Sequence, residues 1–496
     1  MSHEILSSGQ MAEAEQAAIK GKVTGFVLMQ RAGKAVVEEI LSRYSKQPVF
    51  VLCGSGKNGG DGFVIASLLK KKNWPVTLAC AVDSHDLQGD ASRAAELWTG
   101  DVIAFDDVVM PESGLIVDAI FGSGLSRPII GKTYDILMSL RESSCPVIAV
   151  DVPSGVYCDG GECEECTPQA DLTVTFFRKK PAHVLLPARE ACGDIVVADI
   201  GLTEDSLENI GPFMLENAPD LSWGQAEFQK PLQAHKYHHG HCVVLGGRVM
   251  TGAASLAAMS ALRMGAGLVT IVTPADTTPL YQLQNPSLMV EPLTELVRFK
   301  DHIKDTRRNG VVIGCGLGQD NPAILKKIIF DVVQSSPQKI CVLDADALTV
   351  FAEDSRPLLS ALHGQCVLTP HEGEFEKLFP DIRGSKIERA YTAAKRTKSI
   401  VVLKGADTVI AAPDDRLVIN VAQTGWLATA GSGDVLAGMI AGLAVRGVTD
   451  LFDSVCAAVW MHAKAGDSLG AGMISSDIPS KIPAIWQEIL AATDEE

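Results

Sequence analysis

The sequence predicts an α/β protein of two domains, each built on a parallel, doubly wound sheet covered by helices. Its 496 residues exceed the roughly 100–200 of an ordinary domain. Apolar strand-like runs alternate with amphipathic or alanine-rich stretches nearly throughout, as expected of strands buried on both faces. The rhythm breaks at a polar stretch that starts near Thr203 and carries Pro212, Pro219 and Pro231. The boundary is placed near 213–222, giving domains 1–213 and 222–496.

In the first domain VFVLC (49–53), VTLAC (76–80), LIVDAI (115–120) and VIAVDV (147–152) read as strands, with FVIASLLKKK and ASRAAELW as helices between them. The second repeats the style with VVLGG (243–247), VVIGCG (311–316), CVLDAD (341–346), CVLTP (366–370) and VVLKGA (401–406). In such sheets ligands sit beyond the carboxyl ends of the strands. Nearly every polar motif below begins at such an end.

Composition narrows the class. Hydrophobic residues at 47% and charged residues at 21% allow a normal core. A net charge of −17 argues against nonspecific binding to nucleic acid or to an acidic membrane. Several of the twelve cysteines, among them Cys53, Cys242 and Cys341, lie in apolar runs where a free thiol acts as a small hydrophobe. The N-terminal residues show no secretory pattern, and no run approaches the ~18 apolar residues of a membrane span. A reduced, soluble, cytoplasmic protein is expected.

GSGKNG (54–59) matches G-x-G-x-x-G after a strand and before a helix, a pattern shared by dinucleotide sites and plain tight turns. Asp61 follows. A carboxylate about 4 Å from a phosphate costs about 4 kcal/mol at an effective dielectric of about 20. A helix N-terminus returns only about 1–2 kcal/mol. Asp61 therefore needs a nearby cation, or it caps the helix or bonds a ligand hydroxyl or amide. Asp118 and Asp151 end further strands, and Ser154 follows. Asn58, Asp118 and Ser154 offer hard oxygens suited to a group I or II cation, or act as turn and cap residues.

GSGKNGGDG, VDAIFGSG and DVPSG, in this order, resemble the N-terminal epimerase domain of bifunctional NAD(P)H-hydrate repair enzymes, as does the helix containing LMQRAG. The resemblance implies a Rossmann-like three-layer αβα sandwich that interconverts the R and S hydrates of NADH and NADPH (NADHX and NADPHX) and binds potassium. Lys57, Asn58, Gly59, Gly60 and Asp61 would line the substrate. So would Gly122, Ser123, Gly124, Leu125, Ser126, Arg127 and Pro128. Asn58, Asp118 and Ser154 would hold K+, and Asp151 would contact the hydrated ring and move a proton. Lys57 stands where the family usually has asparagine; it loses an amide contact but brings a charge that a pyrophosphate could use.

LATAGSGDVLAGMIAGLAVRG (427–447) leads a glycine turn into an apolar helix, so amides of Gly431 to Asp434 can form an anion hole at its start. An aspartate there can accept a hydroxyl proton, which reads as phosphoryl transfer. VVLKGADTVIAAPD (401–414) reads as strand, Lys-Gly turn and strand, and VLTPHEGEFEKL (367–378) sets His371 at a strand end. VIGCGLGQD (312–320) and TGAASLAAMSALRMGAGLV (251–269) add close-approach glycines. Together these resemble the C-terminal ADP/ATP-dependent NAD(P)H-hydrate dehydratase domain, with a ribokinase-like fold, from about residue 235 to the end.

That resemblance implies phosphorylation of the ring hydroxyl by ADP or ATP and loss of phosphate to restore NAD(P)H. Lys404, Gly405, Ala406, Asp407, Thr408 and Gly433 would bind the nucleotide, with Mg2+ arriving beside it. Ala253, Gly316, His371 and Asp434 would bind the hydrate, Asp434 accepting the proton. The fused, bacterial style of chain suggests ADP. Cys315, Glu372 and Arg248 replace the family's frequent proline, proline and serine. Homo-oligomerisation is expected on general grounds.

HKYHHGH (235–241) reads as a surface entry to a strand, CDGGECEEC (158–166) as an acidic loop, RFKDHIKDTRR (298–308) as a solvated helix face, and Trp460 with Met461 as core. A vitamin or sugar kinase shares the glycine-Asp helix start, but the fused first domain and TPHEGE argue against it. An RNA-metabolism scaffold is disfavoured by the retained aspartates and the acidic charge.

Overall fold

Alternation along the strands explains the layers of the first unit. β1 (Val49–Cys53), β2 (Val76–Cys80), β3 (Val102–Ala104), β4 (Leu115–Ala119), β5 (Val147–Val150), β6 (Leu172–Phe176) and β7 (Asp194–Ala198) form a seven-stranded sheet. Its order is 3-2-1-4-5-6-7, with every pair parallel. Val49, Val51 and Cys53 enter one core while Phe50 and Leu52 enter the other; Leu115, Val117 and Ala119 part from Ile116 in the same way. Helices Gly25–Arg43 and Lys57–Lys71 cover the first core and Lys132–Arg141 the second. The result is a three-layer αβα sandwich. The order reverses between β1 and β4, and there a crevice opens at the carboxyl edge.

These features come from a computed structural model that describes residues 3–21, 23–211, 214–219, 221, 223 and 233–491. The chain forms two compact units, Met1–Met214 and Leu215–Glu496. Pro212, Pro231 and both ends of the expected 213–222 boundary lie outside the described residues. No helix among the described residues is long and apolar enough to cross a membrane. β6 (LTVTF) escapes an apolar-run criterion because Thr173 and Thr175 occupy core positions. Their hydroxyls are satisfied inside, Thr173 Oγ1 donating to the Cys192 carbonyl at 2.6 Å.

The second unit contains β8 (His241–Leu245), β9 (Leu268–Pro274), β10 (Met289–Leu293), β11 (Gly310–Ile313), β12 (Ile340–Leu343), β13 (Cys366–Leu368), β14 (Ile400–Leu403), β15 (Asp407–Ala411) and β16 (Leu417–Val421). They run in the order 10-9-8-11-12-13-14-15-16. Pairing is parallel from β10 to β14, then antiparallel for β15 and β16, which corrects the expectation of a uniformly parallel sheet. Only residues 404–406 join β14 to β15, far too few for a crossover, so a hairpin is the available connection.

Helix Ser432–Ala444 crosses helix Thr251–Arg263 at close range. A Cβ on Gly438 would lie 2.0 Å from the Ala257 carbonyl oxygen, so a methyl group there would force the helices apart. Met461 is fully buried and Trp460 packs against the same core, as expected. Two other readings need correction. His239 and His241 are buried rather than at the surface, and His241 Nε2 lies 2.8 Å from Thr270 Oγ1. Within 298–308 only Phe299–His302 is α-helical, and it buries Phe299 while Arg308 grips Glu291.

Candidate active sites

In the first unit the glycine loop follows β1 directly, and the helix starts at Lys57. The turn is so tight that a Cβ on Gly59 would sit 1.8 Å from the Gly54 carbonyl oxygen. Beside it lies a cavity of about 660 Å3 whose lining includes Lys57, Asn58, Asp61, Gly122, Ser123, Gly124, Leu125 and Asp151. Gly59 and Gly60 are buried behind that wall. Ser126 lines an adjoining cavity of about 250 Å3, while Arg127 and Pro128 are exposed further along the loop. Asp61 does not cap the helix, since it is the fifth helical residue and Gly56 is the cap.

Asp151 directly follows β5 with φ of +69°, a conformation a non-glycine residue holds only when its neighbours impose it. Lys180 Nζ lies 2.9 Å from its Oδ1, Thr175 Oγ1 donates to the same oxygen at 3.0 Å, and the Ser123 amide donates to Oδ2 at 3.0 Å. The Lys180 amide donates to His183 Nδ1 at 2.9 Å, so Nε2 carries the ring proton and meets the Asp151 carbonyl at 2.9 Å. Burial alone would raise the Asp151 proton affinity. The Lys180 ammonium wins and holds the carboxylate well below the ordinary range. Burial, then Lys180, pushes His183 down to about 4, so it is neutral near pH 7.

Asp118 is fully buried and accepts from Ser154 Oγ at 2.6 Å, the Ser154 amide at 2.8 Å and the Ile120 amide at 3.3 Å. Asn58 lies beside Gly122 and Asp151: a Cβ on Gly122 would stand 3.1 Å from its Oδ1 and 3.2 Å from Asp151 Oδ2. Asn58 Nδ2 is buried without a hydrogen-bond partner. A reversed amide would place the Asn58 oxygen at that buried position, where it could face a cation. Lys57 is paired with Glu15 at 2.8 Å with most of its side chain exposed.

The second unit gathers its groups at the ends of β11, β12, β13 and β14. Asp434 stands in the first turn of Ser432–Ala444, after Gly431 with φ of +88°. Cys315, Asp344 and Asp434 present one ligand-capable atom each within 4.8 Å of one another. Lys404 Nζ contacts Asp344 Oδ1 at 2.7 Å, Thr369 Oγ1 donates to that oxygen at 2.8 Å, and Glu374 lies 3.9 Å from the ammonium. Asp434 forms no ion pair with Lys404, although that charge still opposes its rise. Burial pushes it up to about 6, against the Cys315 hydrogen bond and with Asp344 adding to the rise. A Cβ on Gly433 would lie 3.3 Å from Lys404 Nζ, so Gly433 and Lys404 share one corner.

Other expected residues have structural partners. His371 caps helix Glu372–Leu378, with Nδ1 accepting from the Glu374 amide at 3.3 Å and its side chain mostly exposed. Asp407 is tied to Lys386, and Thr408 Oγ1 accepts from the Gly405 amide at 3.1 Å, so both side chains are engaged within that turn. Gly316 and Ala253 touch, a Cβ on Gly316 falling 2.8 Å from that of Ala253. Of the family departures, Glu372 pairs with Arg389 at 2.6 Å and Arg248 with Asp276 at 3.3 Å.

Sequence reasoning missed Lys180, Thr175 and Asp344. Asp344 carried a usable signal, since it ends a strand as Asp118 and Asp151 do. Lys180 carried none, because lysines in runs such as RKKP are ordinarily solvated.

Residues 25–182 match the family model described as YjeF-related protein N-terminus, and residues 241–486 match that described as NAD(P)H-hydrate dehydratase. The bifunctional NAD(P)H-hydrate repair enzyme Nnr of Escherichia coli (strain K12) is 34% identical, the alignment covering 95% of this chain and 92% of that protein. Its counterpart from Coxiella burnetii is 31% identical over 95% and 96%. Among solved structures, the ADP/ATP-dependent NAD(P)H-hydrate dehydratase from Bacillus subtilis aligns at 25% identity and a TM-score of 0.47, covering 55% of this chain and 99% of that one. With relatives matching both units along almost the whole length, the chain belongs to the family of bifunctional NAD(P)H-hydrate repair enzymes.

Proposed function

We propose that this chain repairs hydrated nicotinamide dinucleotides in two steps. The first unit interconverts the R and S hydrates of NADH and NADPH. The second phosphorylates the ring hydroxyl of the S form with ADP or ATP, and phosphate elimination regenerates the reduced cofactor. The observation that carries the reading is the pairing, in each unit, of an aspartate at the carboxyl edge of the sheet with a glycine turn at a helix start. Such a turn directs amides at phosphate while the carboxylate addresses the ring.

In the first unit, residues 57–61 and 122–128 line the substrate and Asp151 faces the hydrated ring. Asn58, Asp118 and Ser154 would hold K+, whose charge would steady a substrate beside so many carboxylates; with its amide reversed, Asn58 would turn its oxygen to the buried position where Nδ2 has no partner. In the second unit, Asp434 accepts the hydroxyl proton and Ala253, Gly316 and His371 border the hydrate. Lys404 turns from Asp344 to the phosphates, with Gly405, Ala406, Asp407, Thr408 and Gly433 shaping the nucleotide pocket. Mg2+ would be carried chiefly by the nucleotide, because Cys315 is a poor ligand for it. ADP is the expected donor, in a cytoplasmic homo-oligomer without nucleic-acid or membrane partners.

The test mixes protein, Mg2+, K+ and an R/S mixture of NADH hydrates, and follows reduced-nicotinamide absorbance with ADP, ATP or neither. Nucleotide-dependent recovery of the whole mixture, lost by 10²-fold or more in Asp434→Ala, is expected. No recovery with either nucleotide refutes the proposal.

A further inference from the structure

Asp61 and Asp151 line the same cavity under opposite constraints. Asp151 has donors on both oxygens and a buried lysine beside it. Asp61 is only 9% exposed, and no hydrogen bond among the described residues reaches its carboxyl. A buried carboxyl without a donor is costly when ionised, and such groups concentrate where a proton is handled. We infer that Asp61 is the acid–base residue of epimerisation and that Asp151, anchored on Lys180, is its fixed counter-ion. The inference rests on the epimerase reading above and reassigns the proton from Asp151 to its neighbour.

The chemistry follows from the substrate. A dihydronicotinamide is an enamine, and water adds so that the hydroxyl lands on the carbon bonded to the ring nitrogen, whose lone pair stabilises a cation there. Asp61, protonated, gives its proton to that hydroxyl. The C–O bond breaks, water leaves, and the nitrogen lone pair forms an iminium ion. Solvent water adds at the opposite face and loses one proton to solvent, and solvent returns one proton to the Asp61 carboxylate. One water leaves and one enters, nothing is oxidised or reduced, and the centre is inverted. Asp151 stays anionic beside the transient cation, where a fixed charge favours the cationic state. Two carboxyl groups whose environments push their proton affinities apart divide into acid and counter-ion on general grounds.

Electrostatics agree with the geometry. Burial, then the charges of Asp151 and Glu15, raise Asp61 well above the ordinary carboxyl range, with Lys57 opposing. Asp61 therefore keeps its proton at pH values where an exposed aspartate has lost it.

The test separates the R and S hydrates chromatographically in H2(18)O, without nucleotide and with the uncatalysed rate subtracted. Asp61→Asn should lower interconversion about 100-fold or more, Asp61→Glu should restore part of it, and wild-type inversion should carry in one solvent oxygen and fade at alkaline pH. Nucleotide-dependent recovery of the S hydrate should persist in Asp61→Asn, and denaturant unfolding of its first unit should match that of the wild type, showing that both units are folded. Interconversion within about twofold of wild type in Asp61→Asn, or inversion without solvent oxygen, overturns the inference while leaving the epimerase reading intact. A wild-type chain that does not interconvert the hydrates overturns both.

Discussion

Asp151 and Asp434 occupy comparable places, each at the carboxyl edge of a sheet and beside a glycine turn, yet their electrostatics are opposite. Asp151 owns its lysine: Lys180 is almost fully buried and spends its charge on that carboxylate. In the second unit Lys404 pairs with Asp344, and at Asp434 burial outweighs the weaker pull of that ammonium. One carboxylate is pinned in the ionised form and the other is poised near neutrality. The position of a single ammonium group separates a fixed charge from a proton acceptor.

Removing the first lysine should break this contrast most sharply. Lys180→Met leaves Asp151 buried without its cation, and loss of one partner of such a pair costs about 3–5 kcal/mol. Denaturant unfolding followed in the first unit should show that loss, and Lys180→Met combined with Asp151→Asn should recover much of it. A change below about 1 kcal/mol would mean that Lys180 is not what holds Asp151.

Asp434→Asn should sharpen the contrast in the opposite direction. Its native proton affinity, near 6, lies above the ~3.9 of an unfolded aspartate. The native state therefore binds the extra proton, and stability falls as pH rises through about 6. Asparagine should then stabilise the protein at pH 8, by about 1–2 kcal/mol after allowing for partial solvent screening, and do little below about pH 4. Thermal unfolding at the two pH values tests the sign. In the wild type, dehydration should weaken as pH falls through about 6, because the proton acceptor fills.

The smallest effect is expected at the rim of the first cavity. Glu15→Gln removes the partner of the mostly exposed Lys57, and such pairs contribute under about 1 kcal/mol. Stability should barely change. A larger loss would mean that the pair fastens helix Ser8–Lys20 over the cavity.

The sequence placed the ends of strands better than their functions. VFVLC, LIVDA and VIAV are buried strands because their apolar residues serve two cores at once, and that demand is visible as an unbroken apolar run. The runs overshoot, in VVIGCG and CVLDAD, because apolar or small residues continue past the last ladder bond into the turn. Asp344 lay in that overshoot. The antiparallel edge was legible only as a short Lys-Gly turn, and its consequence depends on connection length rather than on residue type.

By itself, the sequence determined two parallel-sheet units, their glycine turns and the aspartates that follow their strands, because each is a local consequence of burial, chain direction and backbone space. Only the tertiary structure decided the charge state of those aspartates. Lys180 is 29 residues from Asp151, and Lys404 is 60 from Asp344 and 30 from Asp434. Coulomb attraction at about 3 Å outweighs any local preference, and which carboxylate receives a lysine at that distance is set by packing across the sheet.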